Sequence, residues 1–194
     1  SSSTGYLAIT DGGGNDTVDA SALVTANYGT LTINGGAGDD LLTGGADADT
    51  LHGDIGNDRL IAFKNTVPGS TDVVSGGEGD DVMVWNNGDG TDINDGDNGT
   101  DEVEVNGSTS PSAGDAFIYK ADPNNAARVQ FNRTNLVQFG INFTAERLTV
   151  NGLGGDDTAA PDPNAPGSSI AALTSLTVNG GPGKDNLAGA DGEV

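Results

Sequence analysis

The chain has 194 residues, 29 acidic against 7 basic side chains, a formal net charge of −22 and only 34% apolar residues. So acidic a chain excludes nucleic acid as a partner, because phosphate binding needs a basic surface, and it disfavours adsorption to anionic membranes. The apolar runs fall short of the roughly 20 residues of a spanning helix, which excludes membrane insertion. There is no cysteine, so disulfides are excluded as well.

The kind and placement of the acidic residues point to metal. Low hydrophobicity with high net charge is typical of a chain that cannot fold unaided. Yet 24 of the 29 acids are Asp, and they stand singly or in pairs beside glycines. Asp is compatible with tight turns and also ligates hard cations. The composition therefore predicts that divalent metal ions supply the stability that the apolar residues cannot.

Residues 35–61 consist of three nine-residue units in tandem, GGAGDDLLT, GGADADTLH and GDIGNDRLI. Each unit has a glycine-rich first half, an Asp at position six and a Leu at position eight. Two such units make one flattened coil of strand, turn, strand and turn. Position eight predicts the inward side chains, which are Val18, Leu42, Leu51, Leu60, Val74, Met83, Val103 and Leu187. The unit around Asp92 breaks this pattern, since it has Asn94 in that slot and Ile93 beside it.

Aligned on position six, the acids form two interleaved series. The first is Asp16, Asp40, Asp58, Asp81 and Asp101, and the second is Asp49, Asp72 and Asp92. Calcium takes six to eight oxygens from carboxylates and backbone carbonyls. One turn offers too few of them, so we expect each ion to lie between turns of adjacent coils. Magnesium, which keeps its waters, and zinc, which prefers His and Cys, fit this donor set poorly.

The nine-residue pattern resembles the RTX calcium-binding repeats of secreted bacterial proteins. The resemblance covers residues 11–105 well and 148–194 loosely. It implies a right-handed parallel β-helix or β-roll that binds several Ca²⁺ ions, export through a type I channel and folding on calcium outside the cell. The predicted metal-binding residues are Asp16, Asp40, Asp49, Asp58, Asp72, Asp81, Asp92, Asp101, Asp157, Asp185, Gly36, Gly38, Gly45, Gly56, Gly77 and Gly79. Asp39, Asp80 and Asp156, at position five, are expected to face water.

A strand-and-turn motif recurs at both ends, as LTINGGAGDD from Leu31, LTVNGLGGDD from Leu148 and LTVNGGPGKD from Leu176. It predicts one solenoid over 1–194, with repeat-like coils in 1–105 and in 148–194. The ending GADGEV reads as a repeat cut short, so we expect a fragment of a longer protein. The segment 106–147 lacks the repeats and holds four of the seven basic residues and most aromatics. We favour metal-free coils there; a β-hairpin insert packed on the side is the alternative. Trp85 is expected at the surface.

The sequence predicts a structural calcium-binding module without catalytic activity, and Ca²⁺ as its ligand. Two alternatives stay open. An adhesin or polysaccharide-recognition segment would bind polysaccharide or a cell surface. A calcium-dependent polysaccharide lyase would set an arginine, Arg128, Arg133 or Arg147, beside acidic metal ligands.

Overall fold

A computed structural model describes residues 5–23, 29–46, 48–64, 70–136, 138–165 and 169–189. Across these ranges the regular secondary structure consists of strands alone, and most neighbouring strands are parallel. This confirms the predicted all-β class with the parallel sheets of a β-roll or β-helix. Within the same ranges, no helix is long and apolar enough to span a bilayer. The predicted truncated repeat at the end of the chain lies almost wholly outside the described residues.

The strands, in chain order, are β1 (Tyr6–Thr10), β2 (Thr17–Asp19), β3 (Thr30–Ala37), β4 (Leu41–Thr43), β5 (Asp49–Ile55), β6 (Arg59–Ile61), β7 (Thr71–Glu78), β8 (Val82–Asn86), β9 (Thr91–Asn98), β10 (Glu102–Asn106), β11 (Ala116–Ala121), β12 (Val129–Arg133), β13 (Phe139–Thr144), β14 (Arg147–Asn151), β15 (Thr158–Pro161), β16 (Ser175–Asn179) and β17 (Asn186–Leu187). A ten-stranded sheet has the order β1-β3-β5-β7-β9-β13-β12-β11-β15-β17, and a seven-stranded sheet has the order β16-β14-β10-β8-β6-β4-β2.

Up to β10 the chain alternates between the two sheets, so that two strands and two turns make one coil. Equivalent residues of successive coils pair directly, as Leu42 does with Leu60, and Leu60 with Met83. We call the turns that lead from the ten-stranded to the seven-stranded sheet the first edge, and the turns that lead back the second edge. The predicted strand, turn, strand, turn unit is therefore present.

The core is a narrow row of apolar side chains between the sheets. The position-eight residues Leu42, Leu51, Leu60 and Met83 have no exposed surface, as the repeat predicts. In the outermost coils Val18 and Leu187 are only partly buried. The predicted break is present as well: Asn94 points inward and is 2% exposed, whereas Ile93 beside it is 38% exposed.

The segment 106–147 differs from both sequence-based alternatives. Strands β11, β12 and β13 form an antiparallel meander, in which Phe117 pairs with Arg133 and Arg133 with Phe139. The meander lies within the ten-stranded sheet, because β13 pairs with β9 in parallel and β11 pairs with β15 in parallel. It is thus neither a set of parallel coils nor a hairpin packed on the side. The segment has no glycine turns that would mark parallel coils. Its outer strands pair with β9 and β15, which lie outside the segment, so no pattern within the segment predicts this arrangement.

The recurrent strand-and-turn motif lies on opposite sheets in the two parts of the chain. Leu31 begins the motif in β3 of the ten-stranded sheet, whereas Leu148 and Leu176 begin it in β14 and β16 of the seven-stranded sheet. The meander adds three strands to the ten-stranded sheet, and the chain then returns to the seven-stranded sheet as β14, so the alternation of the two sheets is kept. The glycine turn of this motif therefore lies on the first edge after β3 and on the second edge after β14 and β16.

Candidate metal centre

Five aspartates form a continuous stack along the first edge, which we call the first-edge stack. Its members each precede a strand of the seven-stranded sheet and are Asp16, Asp40, Asp58, Asp81 and Asp101. The backbone N–H of each donates to the Oδ1 of the next, at 2.8 Å for the first three steps and 2.9 Å for the last. The N–H of Asp101 donates to Oε2 of Glu146 at 2.8 Å, which ends the stack. The predicted neighbours are therefore brought together, whereas Glu146 lies outside any repeat and was missed.

In Asp40, Asp58 and Asp81, Oδ1 accepts a backbone N–H and Oδ2 has no hydrogen-bond partner. The Oδ2 atoms of Asp16, Asp40, Asp58 and Asp81 are buried and have no hydrogen-bond partner. A buried charge without compensation is costly, and this cost raises the pKa of two of these carboxyls. Desolvation by burial raises the pKa of Asp58 and raises the pKa of Asp81 to about 6. The arrangement thus presents a row of buried carboxylate oxygens without a hydrogen-bond donor.

Glycines make room for this row in two ways. A Cβ at Gly35, Gly53 or Gly76, the first residue of each repeat, would meet the Oδ2 of its own Asp40, Asp58 or Asp81. The fourth residue needs a left-handed backbone, with φ of 132° at Gly38, 142° at Gly56 and 131° at Gly79. Glycine alone adopts such angles freely. At Gly56 and Gly79 a Cβ would also collide with the carbonyl oxygen of the equivalent glycine one coil earlier.

The second residue of the repeat is also left-handed but less restricted to glycine. Gly36 has φ of 104° and Gly77 of 120°, while Asp54 and Asp97 occupy the equivalent place with φ of 74° and 70°. Asp tolerates this region better than most side chains. The position-five residues Asp39, Asp80 and Asp156 are exposed, as predicted. They also accept backbone N–H groups from the next coil, at 2.9 Å in each case.

The second edge carries a shorter stack before the meander, formed by Asp49, Asp72 and Asp92. The N–H of Asp49 donates to Oδ1 of Asp72 at 2.8 Å, and Gly45 donates its N–H to Oδ2 of Asp49 at 2.6 Å. Asp92 is 1% exposed, and its burial, followed by the charge of Asp89, raises the pKa of Asp92 to about 7. The Oδ2 of Asp49 is thus held by a backbone N–H, whereas the Oδ2 of Asp58 is not.

A third stack, also on the second edge, follows the meander and joins Asp115, Asp157 and Asp185. The N–H of Asp115 donates to Oδ1 of Asp157 at 2.6 Å, and that of Asp157 to Oδ1 of Asp185 at 3.0 Å. The Oδ2 of Asp157 is buried without a partner, and burial raises the pKa of Asp157. The sequence predicted Asp157 and Asp185 as ligands but not that Asp115 would share their stack, because its turn lacks the Gly-Gly-x-Gly pattern.

The donor set of these stacks suits a hard cation held partly by the backbone. Within the described ranges, no three His, Cys, Asp or Glu side chains converge on one point. Adjacent turns instead bring two carboxylates together beside glycine-rich backbone. Calcium accepts such a mixture of carboxylate and carbonyl oxygens with flexible geometry. The unpartnered Oδ2 atoms and the space kept by glycine therefore fit Ca²⁺.

The three arginines of the lyase alternative each form hydrogen bonds or ion pairs with other residues of the chain. Arg128 binds Asp95 and Asn142, and Arg147 pairs with Glu102 at 3.7 Å. Arg133 has only 1% of its side chain exposed. A buried guanidinium cannot reach a polysaccharide, so Arg133 cannot serve as the catalytic group of such a lyase.

The comparison with known proteins agrees with this geometry. The family model of the RTX calcium-binding nonapeptide repeat, in four copies, matches residues 32–60 and 69–92. No curated protein matches the chain. The matched residues contain Asp40, Asp58 and Asp81 of the first-edge stack together with Asp49, Asp72 and Asp92 of the second edge. Residues 32–60 and 69–92 of this chain are therefore similar to RTX nonapeptide repeats, which bind Ca²⁺.

Proposed function

We propose that the aspartate stacks hold columns of Ca²⁺ ions, one ion between each pair of adjacent turns. On the first edge the ions lie between successive members from Asp16 to Asp101. On the second edge they lie between Asp49, Asp72 and Asp92, and between Asp157 and Asp185. The glycines Gly36, Gly38, Gly45, Gly56, Gly77 and Gly79 shape the turns whose carbonyls complete the shells. The observation that carries this proposal is the row of buried Oδ2 atoms without partners.

Calcium binding then drives folding. If each site works at ten times its dissociation constant, it stabilises the fold by RT ln 11, about 1.4 kcal/mol. The four intervals of the first edge alone would contribute about 6 kcal/mol, within the range of the whole stability of a typical domain. Extracellular calcium modules have dissociation constants of about 10⁻⁴–10⁻³ M. The repeat coils are therefore loose at the low calcium of a cytosol and fold after secretion, and we assign the chain to the extracellular space.

The role of this module is structural and not catalytic. Its acidic pairs are taken up by turns and backbone N–H groups, and the buried Arg133 is closed to a substrate. Calcium holds together coils whose one apolar residue per short strand makes too thin a core on its own.

The test is calcium removal. After a chelator is added, the β-sheet signal in circular dichroism should fall, and the radius of gyration from solution scattering should grow. Magnesium added back at equal concentration should restore little of either signal, because its compact octahedral shell does not suit this donor set. A spectrum and a radius that stay unchanged after thorough calcium removal would overturn the proposal.

A further inference from the structure

Between the two aspartate stacks of the second edge lies an ion pair of two side chains, Arg133 and Asp115. Arg133, the last residue of β12, contacts both the turn that precedes β9 and the turn that precedes β11. Its Nη1 donates to Oδ1 of Asp115 at 3.1 Å and to Oδ1 of Asn87 at 2.7 Å. The side chains of Arg133 and Asp115 are 1% and 0% exposed. A full positive charge is therefore buried at the acidic edge of the solenoid.

Asp115 differs from Asp58, Asp81 and Asp157 because both of its oxygens have partners. Its Oδ2 accepts the N–H of Ser108 at 2.7 Å, and its Oδ1 accepts from Arg133. In contrast, the Oδ2 of Asp157, the next aspartate in the same stack, is buried without a partner. The guanidinium thus gives Asp115 the neutralisation that the carboxylates of the repeats lack.

The same guanidinium lies against the largest aromatic cluster of the described residues. Its Cζ lies 5.3 Å from the ring of Trp85 and 5.2 Å from the ring of Phe139, which are distances of cation–π contact. Trp85 and Phe139 are stacked, with ring centroids 3.7 Å apart. Phe117 and Phe131 continue the cluster, 5.2 Å apart. Aromatic side chains bury large apolar areas, so this region adds bulky aromatic rings to the row of aliphatic side chains that forms the core of the repeats.

We propose that the meander, together with the neighbouring strands β8 and β9, forms a calcium-independent core. In this core Arg133 takes the place of a metal ion between the acidic stacks. This core remains folded when the flanking stacks lose calcium and open. It divides the solenoid into two arms, which are the coils before the core and the coils after it. The arms fold only with calcium, whereas the core stays ordered without it. The proposal rests on the proposed function only for the behaviour of the two arms.

Trp85 is the only tryptophan of the chain, which makes its fluorescence a reporter of this core alone. In a chelator titration, the circular dichroism of the sheets should decrease while the Trp85 emission stays blue-shifted relative to the chain in denaturant. Hydrogen exchange at low calcium should leave β12 and β13 protected and β4 and β6 unprotected. Emission that shifts to its denatured position together with the loss of β-signal would refute the calcium-independent core. A β-signal that ignores the chelator would instead refute the proposed function.

Substitutions test the role of the charge. Arg133→Met keeps much of the stem that packs on the rings but removes the guanidinium, so the Trp85 emission should become calcium-dependent. Arg147→Met removes the same charge from a half-exposed side chain and should leave the Trp85 emission independent of calcium. The double variant Asp115→Asn, Arg133→Met removes both charges of the ion pair and should restore the blue-shifted Trp85 emission in chelator. If the double variant is no better than Arg133→Met, or if Arg133→Met behaves like the parent chain, Arg133 does not act as the substitute for a metal ion.

Discussion

The substitution Asp58→Asn should destabilise the calcium-bound protein and stabilise the calcium-free one. Asn keeps an acceptor for the N–H of Asp40, which is 2.8 Å from Oδ1 of Asp58, but it loses the charge that a cation needs. Asp58 borders two intervals of the first-edge stack, so both ions are weakened. At about 1.4 kcal/mol for each interval, the expected loss is ~2.8 kcal/mol. In a domain of this size that corresponds to a fall in Tm of roughly 6–11 °C.

Without calcium the sign reverses. Desolvation raises the pKa of Asp58, which means that its charged form is disfavoured in the folded state. Its Oδ2 is buried without a partner, so a neutral amide relieves the repulsion and part of the desolvation cost. The variant should therefore melt above the parent chain in chelator and below it in millimolar calcium, as followed by circular dichroism.

The matched control is Asp39→Asn, one residue from the stack. Asp39 is exposed and accepts the N–H of Asn57 at 2.9 Å, and Asn15 and Asn57 already occupy this position in the neighbouring coils. Its effect should stay within about 0.5 kcal/mol, as for most surface substitutions. The reasoning is refuted if Asp58→Asn shifts Tm in the same direction with and without calcium, or if Asp39→Asn has an equal effect in calcium.

Three further predictions concern pH, backbone and core. In chelator, the free energy of unfolding should rise as the pH falls from about 7 towards 4, because the raised pKa of Asp81, about 6, makes the folded state bind protons more readily than the unfolded chain. In calcium, acidification through the same range should weaken calcium binding, as measured by calorimetry. Gly56→Ala should cost more than about 1 kcal/mol in either condition, since a Cβ there meets the Gly38 carbonyl. Gly12→Ala, with open space around it and no left-handed backbone, should cost less in a denaturant titration. Leu60→Ala should cost about 2–5 kcal/mol, and Leu41→Ala, at 38% exposed, should cost far less in the same assay.

The repeats predicted the coil, the inward leucines and the first-edge stack because each depends on local spacing. Leu42 and Leu60 point inward since position eight has a fixed place in the strand, and Asp40 and Asp58 stack since one coil separates them. Trp85, expected at the surface, is fully buried. That error was avoidable, because Met83 and Trp85 are two residues apart in a strand and must share a face.

The meander and its contacts could not be predicted in the same way. Asp115 and Arg133 meet across an antiparallel pair of strands, and Asp101 meets Glu146 from 45 residues away. These contacts depend on the order of strands within a sheet, which no spacing in the sequence specifies.

The rung-to-rung hydrogen bonds also make the first-edge stack directional. Each amide points towards the carboxylate that follows it in the chain, so one end of the row ends on a carboxylate, that of Asp16, and the other would end on an unsatisfied amide. Glu146 supplies the acceptor at that second end. Further turns of the same kind could therefore be joined to the row only head to tail and on the amino-terminal side, and a copy brought up in the reverse orientation would set carboxylate against carboxylate.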